Sequence, residues 1–343
     1  MKKFSFLLLI IVLFNTIYGQ QTSIKWLSFD TVKNIFPKKP KPVLIFIECD
    51  TSKISKKFID STFSNPEVAN YINVLFYPIK LKATDTESIT FFNGNTFKKE
   101  PNKPFHSLVY FLLGNKIQFP AIIVYDRQAR GRVFYGYRDR DHIFPILVYY
   151  AESAYLSTDY PTYEKYFLKA YPPGKKQIIT RLNVRWLTMS EAIEKMKEKP
   201  KKLFIDLYDN YNTSQTIMRT QTYNNPIIAR YLNSHFYPVT IYVRNDEHFT
   251  INGVEYKKSD KYPFNTFAIA VLNGKMRFPA FVIMDENFKL LDKEQVFMTP
   301  ETIEPILHYF GDNAYKEMSF KEFLKNFKSS FKKDKKNNND KKM

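Results

Sequence analysis

Thiol chemistry in this chain depends on one residue, because Cys49 is its single cysteine. One cysteine cannot form an internal disulfide, a cysteine zinc site or a dithiol redox pair within one chain. Glu48 and Asp50 flank it, but two acids two residues apart at the end of a predicted strand do not define an acid–base pair. Two interpretations of Cys49 stay open. It is either a small, partly buried residue or a thiol that forms a mixed disulfide with a partner.

The other residues able to act in catalysis or bind metals are not grouped into a known motif. No two histidines have the i, i+4 spacing of a helical zinc site, and the nine glycines include no Walker loop, dinucleotide fingerprint or nucleophile elbow. The histidines are His106, His142, His235, His248 and His308. We therefore expect no metal, no cofactor, and neither hydrolase nor nucleotide chemistry.

The densest group of arginines surrounds a predicted hairpin after Asp126. It consists of Arg127, Arg130, Arg132, Arg138 and Arg140. Guanidinium groups suit carboxylate or phosphate ligands, so an anion site is one interpretation. The simpler interpretation is a solvated hairpin with Asp139 and Asp141 as local partners. The second half of the chain lacks this group, so any anion site would belong to the first half alone.

The composition is that of an aromatic, basic, folded protein. Hydrophobic residues make up 44% of the chain and aromatic residues 17%, which excludes a wholly disordered protein, and 343 residues suit about two domains. The formal net charge is +18, mostly from lysines spread along the chain. Such a charge could attract nucleic acid. Because the lysines form no motif and the chain begins with an export signal, we expect no nucleic-acid binding.

The N-terminus has the pattern of a cleavable secretory signal. Lys2 and Lys3 precede an apolar run from Phe4 to Ile17, and Gly19 precedes the expected cleavage point. The run is shorter than the roughly 20 apolar residues that cross a membrane, although an uncleaved anchor is the alternative. We predict a signal peptide at 1–19 and an exported protein, located in the periplasm or cell envelope or secreted.

The chain repeats itself at an offset of 160 residues. Trp26 matches Trp186, and Phe-Tyr-Pro at 76–78 recurs at 236–238. The aromatic segment that ends each repeat also recurs, since Tyr160, Tyr163 and Phe167 match Phe320, Phe323 and Phe327. A period this long with single-residue gaps indicates a duplicated domain rather than a solenoid.

Each repeat has the same predicted order of elements. A capped helix precedes a short apolar run typical of a buried parallel strand, and a helix with proline in its first turn follows. A second strand, a variable insert, an apolar helix, an antiparallel strand pair and a last helix complete the repeat. This alternation predicts a three-layer α/β domain. The predicted strands span 43–47, 75–81 and 122–125 in the first repeat, and 203–207, 236–243 and 281–284 in the second.

These patterns divide the chain into domains at 20–156 and 183–327. The segment 157–182 joins them. We expect its aromatic first part to pack on the first domain and the Pro-Pro-Gly at 172–174 to be the break. Residues 328–343 are lysine-rich and aperiodic, which predicts a disordered basic tail. Such a tail could contact an acidic membrane surface or an acidic partner, or keep the protein soluble.

Two segments of the repeat resemble exported members of the thioredoxin-like family. They read TFSNPEVANYIN at 62–73 and TYNNPIIARYLN at 222–233, and the resemblance extends over most of 22–328. It implies two tandem thioredoxin-like three-layer α/β/α domains. The fold has a cis-proline directly before a core strand. The resemblance therefore implies cis peptide bonds at Phe119-Pro120 and Phe278-Pro279.

The resemblance also locates the redox motif of the family, W-C-x-x-C, at the start of a helix. The four positions hold Ser52-Lys53-Ile54-Ser55 in the first repeat and Asn212-Thr213-Ser214-Gln215 in the second. Disulfide exchange needs an attacking and a resolving thiol, and no cysteine stands at either end. Ser52 has no nearby histidine in sequence as a base, so we expect Ser or Asn there to cap the helix. Family membership therefore implies the fold but not the activity.

The expected function is non-catalytic binding outside the cytoplasm. The groove between the motif helix and the cis-proline normally receives an extended polypeptide, and it can pair with exposed backbone without a thiol. We expect a protein- or peptide-binding scaffold, adaptor or chaperone-like factor. Its candidate binding residues are Ser52, Ser55, Phe119, Pro120, Asn212, Gln215, Phe278 and Pro279. Two alternatives stay open: a thiol-disulfide oxidoreductase acting through Cys49 with a partner thiol, and a structural subunit of an envelope or secretion assembly.

Overall fold

The structure is a computed structural model that describes residues 23–175 and 183–331. The predicted signal peptide, part of the linker and most of the basic tail lie outside the described residues. The chain divides into two compact units, residues 1–151 and 152–343. No helix in the described part is long and apolar enough to cross a membrane.

The first unit contains one mixed sheet and the helices around it. Its helices span Phe29–Ile35 (α1), Lys53–Lys57 (α2), Pro66–Leu75 (α3), Ser107–Leu113 (α4) and Arg140–Ala151 (α5). Its strands span Val43–Glu48 (β1), Tyr77–Lys82 (β2), Ile89–Thr90 (β3), Thr96–Phe97 (β4), Ala121–Tyr125 (β5) and Gly131–Tyr135 (β6). A π-helical segment, Phe58–Phe63, continues α2.

The second unit repeats these elements after a short helical segment. That segment comprises a 3-10 helix, Ala154–Leu156, and a helix, Tyr160–Ala170 (α6). The later helices span Met189–Glu198 (α7), Thr213–Ile217 (α8), Pro226–His235 (α9), Thr266–Val271 (α10), Pro300–Gly311 (α11) and Phe320–Asn326 (α12). The strands span Lys202–Tyr208 (β7), Phe236–Tyr242 (β8), Phe249–Ile251 (β9), Val254–Tyr256 (β10), Phe281–Met284 (β11) and Leu290–Glu294 (β12).

The main sheets of the two units have the same topology. The strand order is β2-β1-β5-β6 in the first unit and β8-β7-β11-β12 in the second. The first pair in each order is parallel and the other pairs are antiparallel. The predicted fold class, two tandem thioredoxin-like α/β domains, is confirmed. Next to Trp26 and Trp186, the chain pairs with the sheet only through single bridges, Leu27 to Ile79 and Leu187 to Val239.

Strand β1 shows why each unit has three layers. All six of its residues are buried, as expected for a strand covered on both faces. Successive side chains point to opposite faces. Ile45 belongs to a core cluster with Phe29 of α1, whereas the Phe46 ring contacts Phe58 and Phe63 in the segment after α2. Helices therefore cover the sheet on both sides.

The aromatic segment after the first repeat belongs to the second compact unit. The structure assigns it to the second unit, which begins at Glu152, ahead of the predicted domain end at 156. Tyr163 of α6 is fully buried, and its ring centroid lies 5.0 Å from that of Phe297 in the second unit. The periodicity of an amphipathic helix shows which face is buried but not which of two similar domains covers that face.

Candidate functional site

The positions of the missing redox motif are helix caps in both units. Ser52 Oγ accepts a hydrogen bond from the backbone N–H of Ser55 at 3.2 Å, at the start of α2. Asn212 Oδ1 accepts from the N–H of Gln215 at 2.7 Å, at the start of α8. Both residues perform the capping role expected for Ser and Asn.

The first unit holds its thiol inside the core. Cys49 is only 6% exposed, and its Sγ lies 3.3 Å from Thr51 Oγ1. Its backbone N–H donates to the buried Ser55 Oγ at 3.3 Å. Ser55 therefore fastens the end of β1 to α2 and is not available to a ligand as an exposed hydroxyl.

The proline segment of the first unit is open along its backbone. The Phe119–Pro120 bond is cis, Pro120 is buried, and the Phe119 ring packs against Phe105 with centroids 4.9 Å apart. Among the described residues, no hydrogen bond reaches the backbone carbonyls of Gln118 or Phe119. Because Ile47 pairs with Ala121, the start of α2 and these carbonyls lie at the same end of the sheet.

The corresponding segment of the second unit is closed by side chains. The Phe278–Pro279 bond is also cis. Asn212 Nδ2 donates to the Phe278 carbonyl at 3.2 Å, and Gln295 Nε2 donates to the Arg277 carbonyl at 3.1 Å. Both carbonyls before the proline thus have partners within the unit, so they are not available to an incoming backbone.

Gln215 connects the motif helix to a buried acid that sequence reasoning missed. Its Oε1 accepts from the N–H of Ala280 at 3.0 Å, and its Nε2 donates to Asp206. Asp206 is fully buried in β7, and Arg219 Nη1 lies 2.6 Å from its Oδ2. Burial raises the pKa of Asp206 to about 6, against the opposing effect of Arg219. The signal in the sequence that could have found this buried acid is an aspartate inside a predicted strand that is otherwise apolar.

A second unanticipated acid lies over the start of α8. The carboxylate of Glu152 accepts from the backbone N–H groups of Thr213 at 2.9 Å and Ser214 at 2.6 Å. Removal of this carboxyl from water raises its pKa to about 7, partly offset by those hydrogen bonds. The hydroxyls of Tyr163 and Ser214 are 2.9 Å apart. The segment 152–170 therefore covers the motif helix of its own unit.

The arginine group of the first unit is engaged locally. Arg130 pairs with Asp126 at 2.7 Å, and Arg140 makes a two-pronged contact with Glu67. Arg127 donates to the carbonyl of Ala151 at 2.8 Å, and Arg138 to that of Tyr135 at 2.9 Å. The group is paired within its own unit, as in the simpler interpretation, but chiefly through Asp126 and Glu67. Of the two expected partners, Asp141 contacts Arg140 and Asp139 contacts His142.

The histidines lie apart from the motif helices. His106 is fully buried and caps α4, with its ring accepting from the N–H of Leu108. His142, His248 and His308 each contact a neighbouring aspartate. Within 23–175 and 183–331, no group of three or more His, Cys, Asp or Glu side chains could hold a metal ion.

The first unit also contains an apolar cavity that the sequence did not indicate. Its volume is about 400 Å³, and it lies on the α1 side of the sheet, away from α2. Its walls include Phe36 near α1, Phe91 and Phe92 of the insert, and Tyr125 of β5. The insert differs between the repeats, so the repeat pattern could not predict what it packs on.

Comparisons with known proteins find thioredoxin-fold structures at low similarity. A thioredoxin-fold protein from Helicobacter pylori is 13% identical with a TM-score of 0.32, covering 43% of this chain and 94% of its own. Full-length ERdj5 is 10% identical with a TM-score of 0.28, covering 90% of this chain and 34% of its own. The first two thioredoxin domains of Saccharomyces cerevisiae Eps1p are 8% identical with a TM-score of 0.24, covering 86% and 97%.

No protein-family model matches the sequence, and no curated protein matches it significantly. The solved structures are similar at TM-scores too low to carry an argument about function. The thioredoxin-like fold of each unit rests on its strand order and register.

Proposed function

We propose that this protein is an exported, non-catalytic scaffold that binds extended polypeptide through its first unit. The observation that carries the proposal is the pair of unpartnered backbone carbonyls at Gln118 and Phe119, considered among the described residues. An exposed backbone at the end of a sheet can pair with a peptide that adds as a strand, while nearby side chains select its sequence.

The difference between the units supports assigning this role to the first unit alone. In the second unit, Asn212 and Gln295 satisfy the equivalent carbonyls, and Glu152 covers the start of α8. A peptide would have to break these contacts before it could bind. The second unit then serves as a structural partner, and the four candidate binding residues there act in packing.

The rival function, thiol–disulfide exchange through Cys49, has weaker support. The chain has one cysteine, and that thiol is 6% exposed at the end of β1. A mixed disulfide would require the thiol to emerge from the core, and its resolution would require a second thiol from a partner. No observed contact favours either requirement.

The test uses a substitution that copies the closed unit into the open one. Ser52→Asn should cap α2 as well as serine does and donate to the Phe119 carbonyl, as Asn212 does to Phe278. The probes are carboxymethylated insulin B chain and a pool of random peptides, measured by fluorescence anisotropy. We expect the substitution to weaken binding about fivefold, the effect of losing one backbone hydrogen bond.

The matched control is Asn212→Ser. It removes the hydrogen bond to the Phe278 carbonyl of the second unit and should leave binding to the first unit intact. Binding that is equally strong in Ser52→Asn and the unsubstituted protein would overturn the proposed groove. Failure of both probes to bind the unsubstituted protein would overturn the scaffold function itself.

A further inference from the structure

The duplicated chain carries two copies of its trailing aromatic helix, and the first is buried more fully than the second. In α6, Tyr160, Tyr163 and Phe167 are all buried. Their counterparts in α12, Phe320, Phe323 and Phe327, pack on Tyr309 and His308 of α11 but stay half-buried, and no residue of α12 is fully buried. Leu324 is 45% exposed and Met318, just before the helix, is 37% exposed. Two exposed apolar side chains beside three half-buried rings make this segment a candidate interaction surface.

The first copy shows what such a helix packs against. Tyr163 contacts Ser214 of α8 through its hydroxyl, at 2.9 Å, and the ring of Phe297 at 5.0 Å. Tyr166 donates to the carboxylate of Glu301 at 3.1 Å. The trailing helix of one repeat therefore docks on the motif helix of the repeat that follows it in the chain.

The corresponding surface of the first unit is exposed at α2. At the 160-residue offset, Ser214 corresponds to Ile54 of α2 and Phe297 to Tyr137. The Ile54 side chain is 51% exposed, and Tyr137 lies half-buried beside α2, with its ring 5.7 Å from that of Phe58. Ile54 is therefore an exposed apolar side chain on α2, and Lys57 Nζ lies 4.5 Å from the centroid of the Tyr137 ring.

The residues that would meet at these two surfaces have changed together. In the covered pair, the tyrosine hydroxyl of Tyr163 meets the serine hydroxyl of Ser214. In the uncovered pair, both hydroxyls are absent, because Phe323 replaces the tyrosine and Ile54 replaces the serine. A polar contact has become an apolar one on both sides, which keeps the two surfaces complementary.

We propose that the protein assembles head to tail, with the α12 surface of one copy docked on the α2 surface of a second copy. The docking repeats the α6-on-α8 contact, with Phe323 against Ile54 and Tyr137. The two surfaces differ, so the contact is heterologous and each copy retains one free surface for the next. This inference uses the Ile54 side chain and not the carbonyls of Gln118 and Phe119, so it can be tested independently of the proposed function.

The test measures mass by sedimentation equilibrium over a concentration series, using the chain without residues 1–19. The unsubstituted protein should exceed the mass of a dimer as concentration rises. Ile54→Asp should weaken association roughly tenfold or more, since it places a charge in an apolar contact. Val74→Asp is the matched control, because Val74 is 56% exposed elsewhere on the first unit, and it should associate like the unsubstituted protein.

A pair of mild substitutions distinguishes this contact from other modes of association. Ile54→Ser and Phe323→Tyr each mismatch the surfaces and should associate weakly alone. An equimolar mixture should recover association, because the tyrosine of one variant can meet the serine of the other while the remaining surfaces match as before.

A mass that stays monomeric at every concentration would overturn the proposal. Association that survives Ile54→Asp, or variants that fail to recover on mixing, would equally overturn it. None of these three outcomes bears on peptide binding by the first unit, which the anisotropy measurement reports separately.

Discussion

Cys49 is the residue on which thiol–disulfide exchange would depend, and its burial works against that reaction. A thiol exchanges with a disulfide only when its thiolate can approach a disulfide sulfur in line. At 6% exposure, beside Thr51 and within the core cluster of the first unit, Cys49 contributes packing as a small apolar side chain.

Replacing Cys49 should therefore leave redox behaviour unchanged. We expect neither the unsubstituted protein nor Cys49→Ser to reduce insulin or a glutathione mixed disulfide above the uncatalysed rate. Alkylation of Cys49 by iodoacetamide should also be slow until denaturant is added. Turnover that disappears with Cys49→Ser would instead establish the oxidoreductase function.

Asp206 is a fully buried acid that joins β7 to the residues of the motif helix region. Its carboxylate depends on Arg219 and Gln215, and Arg219 also lies over the Tyr208 ring, 4.5 Å from its centroid. Burial raises the pKa of Asp206 above its ordinary value. The stability that this carboxyl contributes is therefore complete at pH values below the ordinary pKa of aspartate. This contribution is lost as pH rises through about 6.

Arg219→Ala should destabilise the second unit by about 3–5 kcal/mol at pH 8, because it leaves a buried carboxylate without its partner. At pH 5 the loss should be smaller, because Asp206 can then become neutral. Urea unfolding followed by Trp186 fluorescence in a Trp26→Phe background isolates the second unit. The exposed Arg185→Ala is the control and should change stability little. Equal losses at pH 5 and pH 8 would contradict the assigned coupling.

At the scale of elements, the segment 152–170 occupies the N-terminus of α8, the motif helix of the second unit. Glu152 accepts from the first N–H groups of α8, and Tyr163 fixes Ser214 from the side. The elevated pKa of Glu152 means that its neutral form is favoured in the folded state. The docked segment should therefore be most stable below the ordinary pKa of glutamate and weaken as pH rises through about 7.

Glu152→Gln should remove this dependence. At pH 5 the variant and the unsubstituted protein should have similar stability, since both side chains are neutral. As pH rises to 8, the unsubstituted protein should lose stability relative to the variant, measured by Trp186 fluorescence in urea. Glu317→Gln, at an exposed position, is the control. If the free energy of unfolding of the variant instead decreases relative to that of the unsubstituted protein as pH rises, the ionised carboxylate is the stabilising form.

At the scale of the whole molecule, duplication gave two units with one topology, and later substitutions made them unequal. Both units retain the same strand order and a proline-started helix capped by asparagine. They differ at the motif helix, where Ile54 of the first unit corresponds to Ser214 of the second, and in the side chains near the cis-proline.

The shared features predict matched stability effects. Asn65→Ala should lower the free energy of unfolding of the first unit by about 1 kcal/mol, through loss of the cap on α3. Asn225→Ala should do the same in the second unit. Trp26 reports the first unit and Trp186 the second, so each substitution should shift only one signal in urea. A shift of both signals by either substitution would indicate that the units unfold together.

Much of the fold was predictable because its signals are local. A buried strand is predicted by the apolar run at 43–47, and a helix start by Asn-Pro at 65–66. The Phe-Pro pairs likewise locate the segment before each core strand. The segment after 151 is helical, as its pattern predicts, and it belongs to the second compact unit. Glu152 and Asp206 were missed because a single acid carries no period or motif.

The sequence by itself determined the duplication, the order of elements and the absence of a redox pair, because these follow from residue type and spacing along the chain. Only the tertiary structure decided in which unit the backbone carbonyls before the cis-proline have hydrogen-bond partners. The contacts that close the second unit join Asn212 to Phe278 across 66 residues and Glu152 to Ser214 across 62. Hydrogen bonds over such separations depend on where the fold brings two chain segments, and no local pattern records them.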